Sequence, residues 1–539
     1  MPEINEKADI SLLYPDAESI RRQSTGGGAR LTEVTAEQLE LYYLIDLKNS
    51  DIGSFFTSDP ETIRYRQETF ADMTANPELG KVLLKMLPLL GDITELRRMG
   101  GDNAGSTESY LYSITEVELY TSLMEHLKKG LLPIADKLQS RAFKGLAERI
   151  AYLTESEYYK ELNQKLSELT KRVREIKSIT VGVNLDAQLR PEHAGVLSIN
   201  NEYFKSGEIL DKILRLDFKE DEYTCIASLT PFRKNQSENQ QMALSFAFNS
   251  AINEVFKSSI RSWKKVVQMY VLENTDFLIR MMPEIEFVVK AAELMTRLEE
   301  KGCHLCRPEI RPMEEKAFSA KNLCNPVVTL KIDGPVVPND FSFDENGMIF
   351  VITGPNRGGK SVTTCAVGLA FVMAQLGLYV CADEAVLSPC DCIHTHFPTG
   401  SEDTIDKGRL GEECARLDAI FDTLTEYSLA LLDESLSSTG SYEASYIASE
   451  VLSGFSMARC RCIFSTHLHD LAASVDRIND ECIPRGGVKI DNMVAAIDEG
   501  SRSFKVRRAK PDGKSYARDI AEKYGLSMEK ILAKVEKNR

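Results

Sequence analysis

The amino-acid sequence predicts a multidomain chain: an all-α region carrying a small strand-rich insertion, followed by an α/β domain. Three observations predict it. Apolar residues recur at helical spacing from about Leu31 to Lys177 and again from Ser237 to Gly302. Between about 178 and 230 the texture becomes alternating and β-branched, as in Ile179-Thr180-Val181-Gly182-Val183-Asn184-Leu185. After Pro326 short apolar runs follow one another around a glycine-rich turn, the pattern of buried parallel strands.

In chain order, residues 1–30 read as a flexible N-terminal segment containing Gly26-Gly27-Gly28. Residues 31–325 form the helical region, with helices opening at Val34-Thr35-Ala36-Glu37 and repeating over Val117–Leu132 and Leu138–Leu153. Asp59-Pro60-Glu61 reads as an N-cap followed by proline at the first helical position. Pro308, Pro312 and Pro326 mark a linker. Residues 326–539 form the α/β domain, whose expected strands are Val327–Leu330, Met348–Thr353, Ser428–Asp433 and Cys462–Thr466.

With 539 residues, 43% hydrophobic and 27% charged, the chain is long enough for three or four ordinary globular domains. Its formal charge of -16 excludes a surface that is basic throughout, so contact with nucleic acid requires a local basic patch. Met1–Ser11 is charged and lacks an apolar stretch, which argues against secretion and makes the 12 cysteines reduced thiols of a cytoplasmic protein. Val362–Ala382 has the length of a membrane span, but it holds Thr363, Thr364 and Gln375 and follows the glycine turn directly. It is expected to be a buried helix, with no membrane partner.

Gly354-Pro355-Asn356-Arg357-Gly358-Gly359-Lys360-Ser361 fits a Walker A loop, with a strand before it and a helix after it. Glycines let backbone N–H groups turn inward around phosphate oxygens, Lys360 brings a positive charge, and Ser361 brings a hydroxyl for Mg²⁺. Asp433, at the end of an apolar strand, is placed to hold the Mg²⁺ shell, and Glu434 to polarise an attacking water as general base. His467 ends the next apolar strand. These residues imply an ATPase using ATP and Mg²⁺.

Further segments carry a family resemblance. Thr353-Gly354-Pro355-Asn356, Thr425 to Glu434, Val337-Pro338-Asn339-Asp340, Ser465-Thr466-His467 and Gly513-Lys514-Ser515-Tyr516-Ala517 resemble the MutS proteins. Asp59-Pro60-Glu61-Thr62-Ile63 and Tyr65-Arg66-Gln67 are similar in general character to MutS core and lever helices. The resemblance implies an ABC-type P-loop ATPase domain over 326–539 that ends in a helical dimerisation segment. It also implies a core, lever and clamp region over 31–325. It implies a homodimer with composite sites, in which Ser401–Arg409 reaches the partner's ATP and hydrolysis to ADP and phosphate is coupled to a clamp closing on DNA. Mismatch repair or related DNA repair, with other repair proteins as partners, is the implied setting. By the same resemblance, Gly354, Pro355, Asn356, Arg357, Gly358, Gly359, Lys360, Ser361 and Val362 contact the nucleotide. His467 senses the γ-phosphate, and Val337 lies in the loop over adenine.

The sequence departs from the family pattern at stated places. Lys407 precedes Gly408-Arg409 where the family usually has serine, and Val336 and Val337 stand where an aromatic often stacks. No module with a Phe-x-Glu mismatch reader is expected ahead of Leu31, and Phe343-Asp344-Glu345 matches that pattern by letter alone. A shortened clamp that recognises DNA shape or another repair complex is therefore expected. Branched or recombining DNA is one alternative substrate. An ATP-switched interaction protein that never touches DNA is another, favoured by the acidity. Lys171-Arg172-Val173-Arg174 and Arg261-Ser262-Trp263-Lys264-Lys265 read either as phosphate contacts, with Trp263 stacking on a base, or as solvated helix faces. Cys303, His304, Cys306 and Cys324, and Cys390, Cys392, His394 and His396, read as zinc ligands or as ordinary core residues.

Overall fold

Short strands, the central ones apolar over most of their length, pair side by side into a seven-stranded sheet. Its order is Arg30–Leu31, Cys392–His396, Leu429–Asp433, Arg461–Ser465, Ile349–Thr353, Ile490–Asp498 and Ser501–Arg508. Every neighbouring pair is parallel except the last, which is an antiparallel hairpin. The computed structural model describes residues 10–25, 28–48, 50–101, 107–175, 177–189, 191–200, 202–203, 205–206, 224–225, 275–398, 408–498, 501–510 and 525–537. The chain divides into two compact units, one made of residues 1–77, 139–143 and 283–539 and the other of 78–138 and 144–282.

In the first unit the helix Lys360–Gln375 lies on the sheet. Gly368 permits this, since a Cβ there would sit 2.5 Å from Leu431 Cδ1. Its one interior amide, Gln375, is wholly satisfied: it donates to Thr57 O at 2.9 Å and Cys390 O at 2.8 Å and accepts from Cys390 N at 3.0 Å. The opposite side of the sheet is covered by Gly408–Phe421 and Ser441–Ala458, which close an apolar core over Ile349, Val351, Ala430, Leu432, Cys462 and Phe464. A second sheet, ordered Glu309–Ile310, Glu384–Leu387, Phe318–Leu323 and Asn339–Phe343, joins the same unit. Phe318, Phe341, Phe343, Phe350 and Phe371 form the ring cluster there, with Phe318 stacked on Phe371 at 4.8 Å between centroids.

Several expectations are corrected here. Val327–Leu330 is not a strand but part of the helix Pro326–Lys331. Asn325 caps it by accepting from Val328 N at 3.1 Å, and Pro326 supplies a preset first turn, so capping outweighs the β-branched valines. The supposed linker at Pro308 and Pro312 holds strands whose partners lie at Glu384–Leu387. Positions 30 and 326 both lie inside the first compact unit. Leu12 and Leu13 are fully buried, Asp16 caps the helix Ala17–Ser24, and Arg30–Leu31 pairs with Cys392–Ile393. The fully buried Arg66 donates to Leu13 O at 3.1 Å and to Phe55 O, and lies over the Tyr14 ring. Gly377 accommodates it, since a Cβ at Gly377 would fall 2.2 Å from Arg66 Cβ.

The second unit is largely helical in its described part. Leu79, Leu83, Met86, Leu90 and Ile93 of the helix Glu78–Gly101 are fully buried at alternating spacings of four and three. Val117, Tyr120, Leu123, Met124, Leu127 and Leu131 of the helix Thr107–Leu131 supply the facing side. This is the narrow seam of two packed antiparallel helices. Gly130 sets their closeness, because a Cβ there would lie 2.5 Å from Val82 Cγ2. An antiparallel hairpin, Ser178–Leu185 with Pro191–Asn200, occupies the start of the expected strand-rich element. The basic cluster at 261–265, with Trp263, lies outside the described residues, as does most of 207–274. Among the described residues no helix is long and apolar enough to cross a membrane.

Candidate functional site

In an open parallel sheet, ligands gather at the carboxyl ends of the strands. Three adjacent strands deliver the sequence-expected residues to one such edge: Ile349–Thr353 leads into the glycine loop, Arg461–Ser465 into His467, and Leu429–Asp433 into Glu434. The loop glycines are required by contact. A Cβ at Gly354 would lie 2.8 Å from Ala495 Cβ, and one at Gly358 would lie 2.8 Å from Pro355 O. Gly354 and Gly359 also have φ of 136° and 100°, where side chains are strained.

Lys360 opens the following helix and is buried, its ammonium donating to Gly354 O at 3.1 Å and Pro355 O at 3.2 Å. Burial lowers its pKa, while the charges of Glu434 and Asp433 oppose that shift. Ser361 Oγ donates to Asp433 Oδ1 at 2.9 Å. Burial raises the Asp433 pKa above the usual carboxylate value, and the Ser361 hydrogen bond offsets part of the rise. His467 Nε2 lies 2.7 Å from Glu434 Oε1, and both side chains are partly exposed. Asn356 and Arg357 are exposed at the loop tip, Val362 is exposed one turn into the helix, and Val337 is half-buried. Gly408 and Arg409 begin an exposed helical turn, and residues 401–407 lie outside the described residues, as does 513–517.

Two hard oxygens, the Asp433 carboxylate and the Ser361 hydroxyl, suit Mg²⁺, which keeps most of its shell as water and phosphate oxygen. Among the described residues no group of three or more His, Cys, Asp or Glu side chains is arranged to hold a metal ion. Cys390, Cys392, His394 and His396 are instead buried core residues of the sheet.

Sequence reasoning missed the residues that shape the acidic loop. Glu434 and Leu436 have φ of 47° and 63°, an uncommon backbone for such side chains. Three contacts impose it. Glu434 N donates to Ser465 O at 2.8 Å, Leu436 N donates to the Glu413 carboxylate, and Ser435 Oγ donates to His396 O at 3.1 Å. His396 Nδ1 lies 2.7 Å from Ser435 Oγ, a hydrogen bond that braces the same serine. Burial and the Arg416 charge lower the His396 pKa to about 4, so the ring is neutral. A histidine two residues past a cysteine signalled metal, and only the fold pairs it with Ser435. Asn339 was also missed as a brace: it donates to Phe504 O at 3.1 Å and accepts from Val506 N at 2.8 Å, holding the Ser501–Arg508 strand beside the loop.

Comparison with known proteins decides the family. The family model for MutS domain V matches residues 350–536, and that for the MutS2 N-terminal domain matches 58–301. This chain belongs to the MutS family. The DNA mismatch repair protein Msh6 of Gallus gallus is 36% identical over 181 residues, 31% of this chain and 13% of that protein. The DNA mismatch repair protein MutS of Chloroflexus aurantiacus is 32% identical over 233 residues, 42% of this chain and 23% of that protein. That of Halothermothrix orenii is 32% identical over 225 residues, 40% and 24% of the respective chains. The MutS-family chain thus spans at most about a quarter of the length of these relatives.

Proposed function

We propose that this MutS-family chain is an ABC-type P-loop ATPase that hydrolyses ATP to ADP and phosphate, and that its nucleotide state controls a clamp on DNA in mismatch repair or related DNA repair. The observation that carries the reading is the sheet edge where Lys360, Ser361, Asp433, Glu434 and His467 converge. Backbone N–H groups of 356–359 and the Lys360 ammonium neutralise phosphate charge. Ser361 and Asp433 would hold Mg²⁺, which would supply neutralisation of phosphate charge when bound. Glu434 takes a proton from the attacking water, and His467 holds its carboxylate and faces the γ-phosphate. The likeness to proteins named for DNA mismatch repair supports the DNA role, with a cytoplasmic homodimer completing each site through 401–409.

Glu434→Gln tests the chemistry: ATP binding is retained and turnover falls by about 10²-fold or more. Undiminished hydrolysis would remove Glu434 as the base. The net charge of -16 favours a second reading, an ATP-switched interaction protein that does not touch DNA. Binding to plain, mismatched and branched duplexes across a salt series separates them, because phosphate contacts weaken steeply with salt. Absence of binding to all three, with and without ATP, selects the second reading.

A further inference from the structure

The hairpin of Ile490–Asp498 and Ser501–Arg508 is irregular at one place. Ala495 pairs with Val506 and Ile497 with Arg502, so the single residue Ala496 is opposed by Ser503, Phe504 and Lys505. Such bulges re-aim side chains, and they concentrate beside functional sites. At its centre Phe504 has φ of 56°, a genuine outlier for a bulky aromatic. The surroundings enforce it: Asn339 donates to Phe504 O at 3.1 Å, Ser503 Oγ donates to Ala496 O at 2.8 Å, and the Lys505 ammonium donates to Pro338 O. Yet the side chain so constrained is not buried, since Phe504 remains 45% exposed. No packing gain explains the strain.

The position of the bulge supplies an explanation. The backbone of Phe504 abuts the phosphate loop, its carbonyl 3.3 Å and its Cα 3.6 Å from where a Cβ of Gly359 would stand. On its other side it is tied through Asn339 and Lys505 to the start of the strand Asn339–Phe343, directly after Val336, Val337 and Pro338. Those three residues offer aliphatic side chains and no aromatic. We propose that Phe504 is the platform on which the purine base of the nucleotide rests, set there by the bulge. The inference rests on the nucleotide reading above and adds the residue that recognises the base. A flat aromatic face gives affinity for any base and little choice between adenine and guanine, because stacking uses the π-face that all bases share.

The test is calorimetric titration of the full chain with ATP, ADP, GTP and inorganic tripolyphosphate, each with Mg²⁺. Phe504→Ala weakens ATP and ADP by about tenfold and leaves tripolyphosphate within about twofold of wild type. Phe504→Trp keeps ATP affinity. Phe504→Gly, which accepts the left-handed backbone freely, loses affinity as alanine does, separating stacking from strain. GTP follows ATP in every variant. Unchanged ATP affinity in Phe504→Ala would overturn the proposal, and so would an equal loss of tripolyphosphate, which would place the residue's effect on the phosphate loop. Wild-type protein that takes up neither ATP nor tripolyphosphate would instead overturn the nucleotide reading beneath it.

Discussion

The carboxyl edge of the seven-stranded sheet and the helical seam of the second unit are built on opposite principles. Along the seam Leu79, Leu83, Met86, Leu90 and Ile93 follow one period, are wholly buried, and none has a positive φ. Along the edge Gly354, Arg357, Gly359, Glu434, Leu436 and Phe504 all have positive φ, and Lys360 is buried and Asp433 half-buried at a cost in charge solvation. The difference teaches where to look for chemistry. Regular apolar spacing stabilises, and departures from local preference mark groups that the rest of the fold holds in place.

That contrast can be broken by substitution. The largest effect is expected at the edge: Lys360→Ala lowers ATP affinity by about 10²-fold or more, measured by equilibrium binding, with little change in Tm. In the seam the pattern reverses. Met86→Ala costs about 2–5 kcal/mol of stability in denaturant unfolding of the second unit and leaves ATP affinity at 25 °C within about twofold. A smaller effect is expected at His396→Asn, which removes the Ser435 brace from the acidic loop. Turnover falls by about tenfold at unchanged ATP affinity, and a matching loss of binding would show that His396 serves the fold alone.

A last effect lies away from both regions. Glu284, which accepts from Ser11 Oγ and Leu12 N at 2.7 Å each, has its pKa raised by burial to about 7. A carboxyl that holds its proton more tightly when folded stabilises the chain at low pH, and that contribution is lost as pH rises from about 4.5 through about 7. Glu284→Gln should flatten this part of the stability curve by roughly 3 kcal/mol in pH-dependent unfolding. An unchanged slope would show that the carboxyl is ionised in the folded chain.

The same contrast explains what the sequence made legible. The strands ending at Thr353, Asp433 and Ser465 were readable because each is a short apolar run closed by a motif residue. Val327–Leu330 misled because Asn325 and Pro326 commit that run to a helix before its β-branched residues can pair. The pairing of Arg30–Leu31 with Cys392–Ile393, and of Glu309–Ile310 with Val386–Leu387, joins segments far apart in sequence and leaves no local mark. Phe504 and His396 were illegible as site residues for a related reason: one depends on a bulge and the other on a hydrogen bond to a serine 39 residues away.

The proposed nucleotide site requires magnesium and triphosphate to be gripped together by Ser361, Asp433 and Lys360. Binding of ATP to wild type and to Asp433→Asn, with Mg²⁺ and with chelator, tests this most directly. Wild type should bind at least about tenfold more tightly with Mg²⁺, and the variant should lose that gain while keeping its metal-free affinity. Equal binding by wild type with and without Mg²⁺ would contradict it.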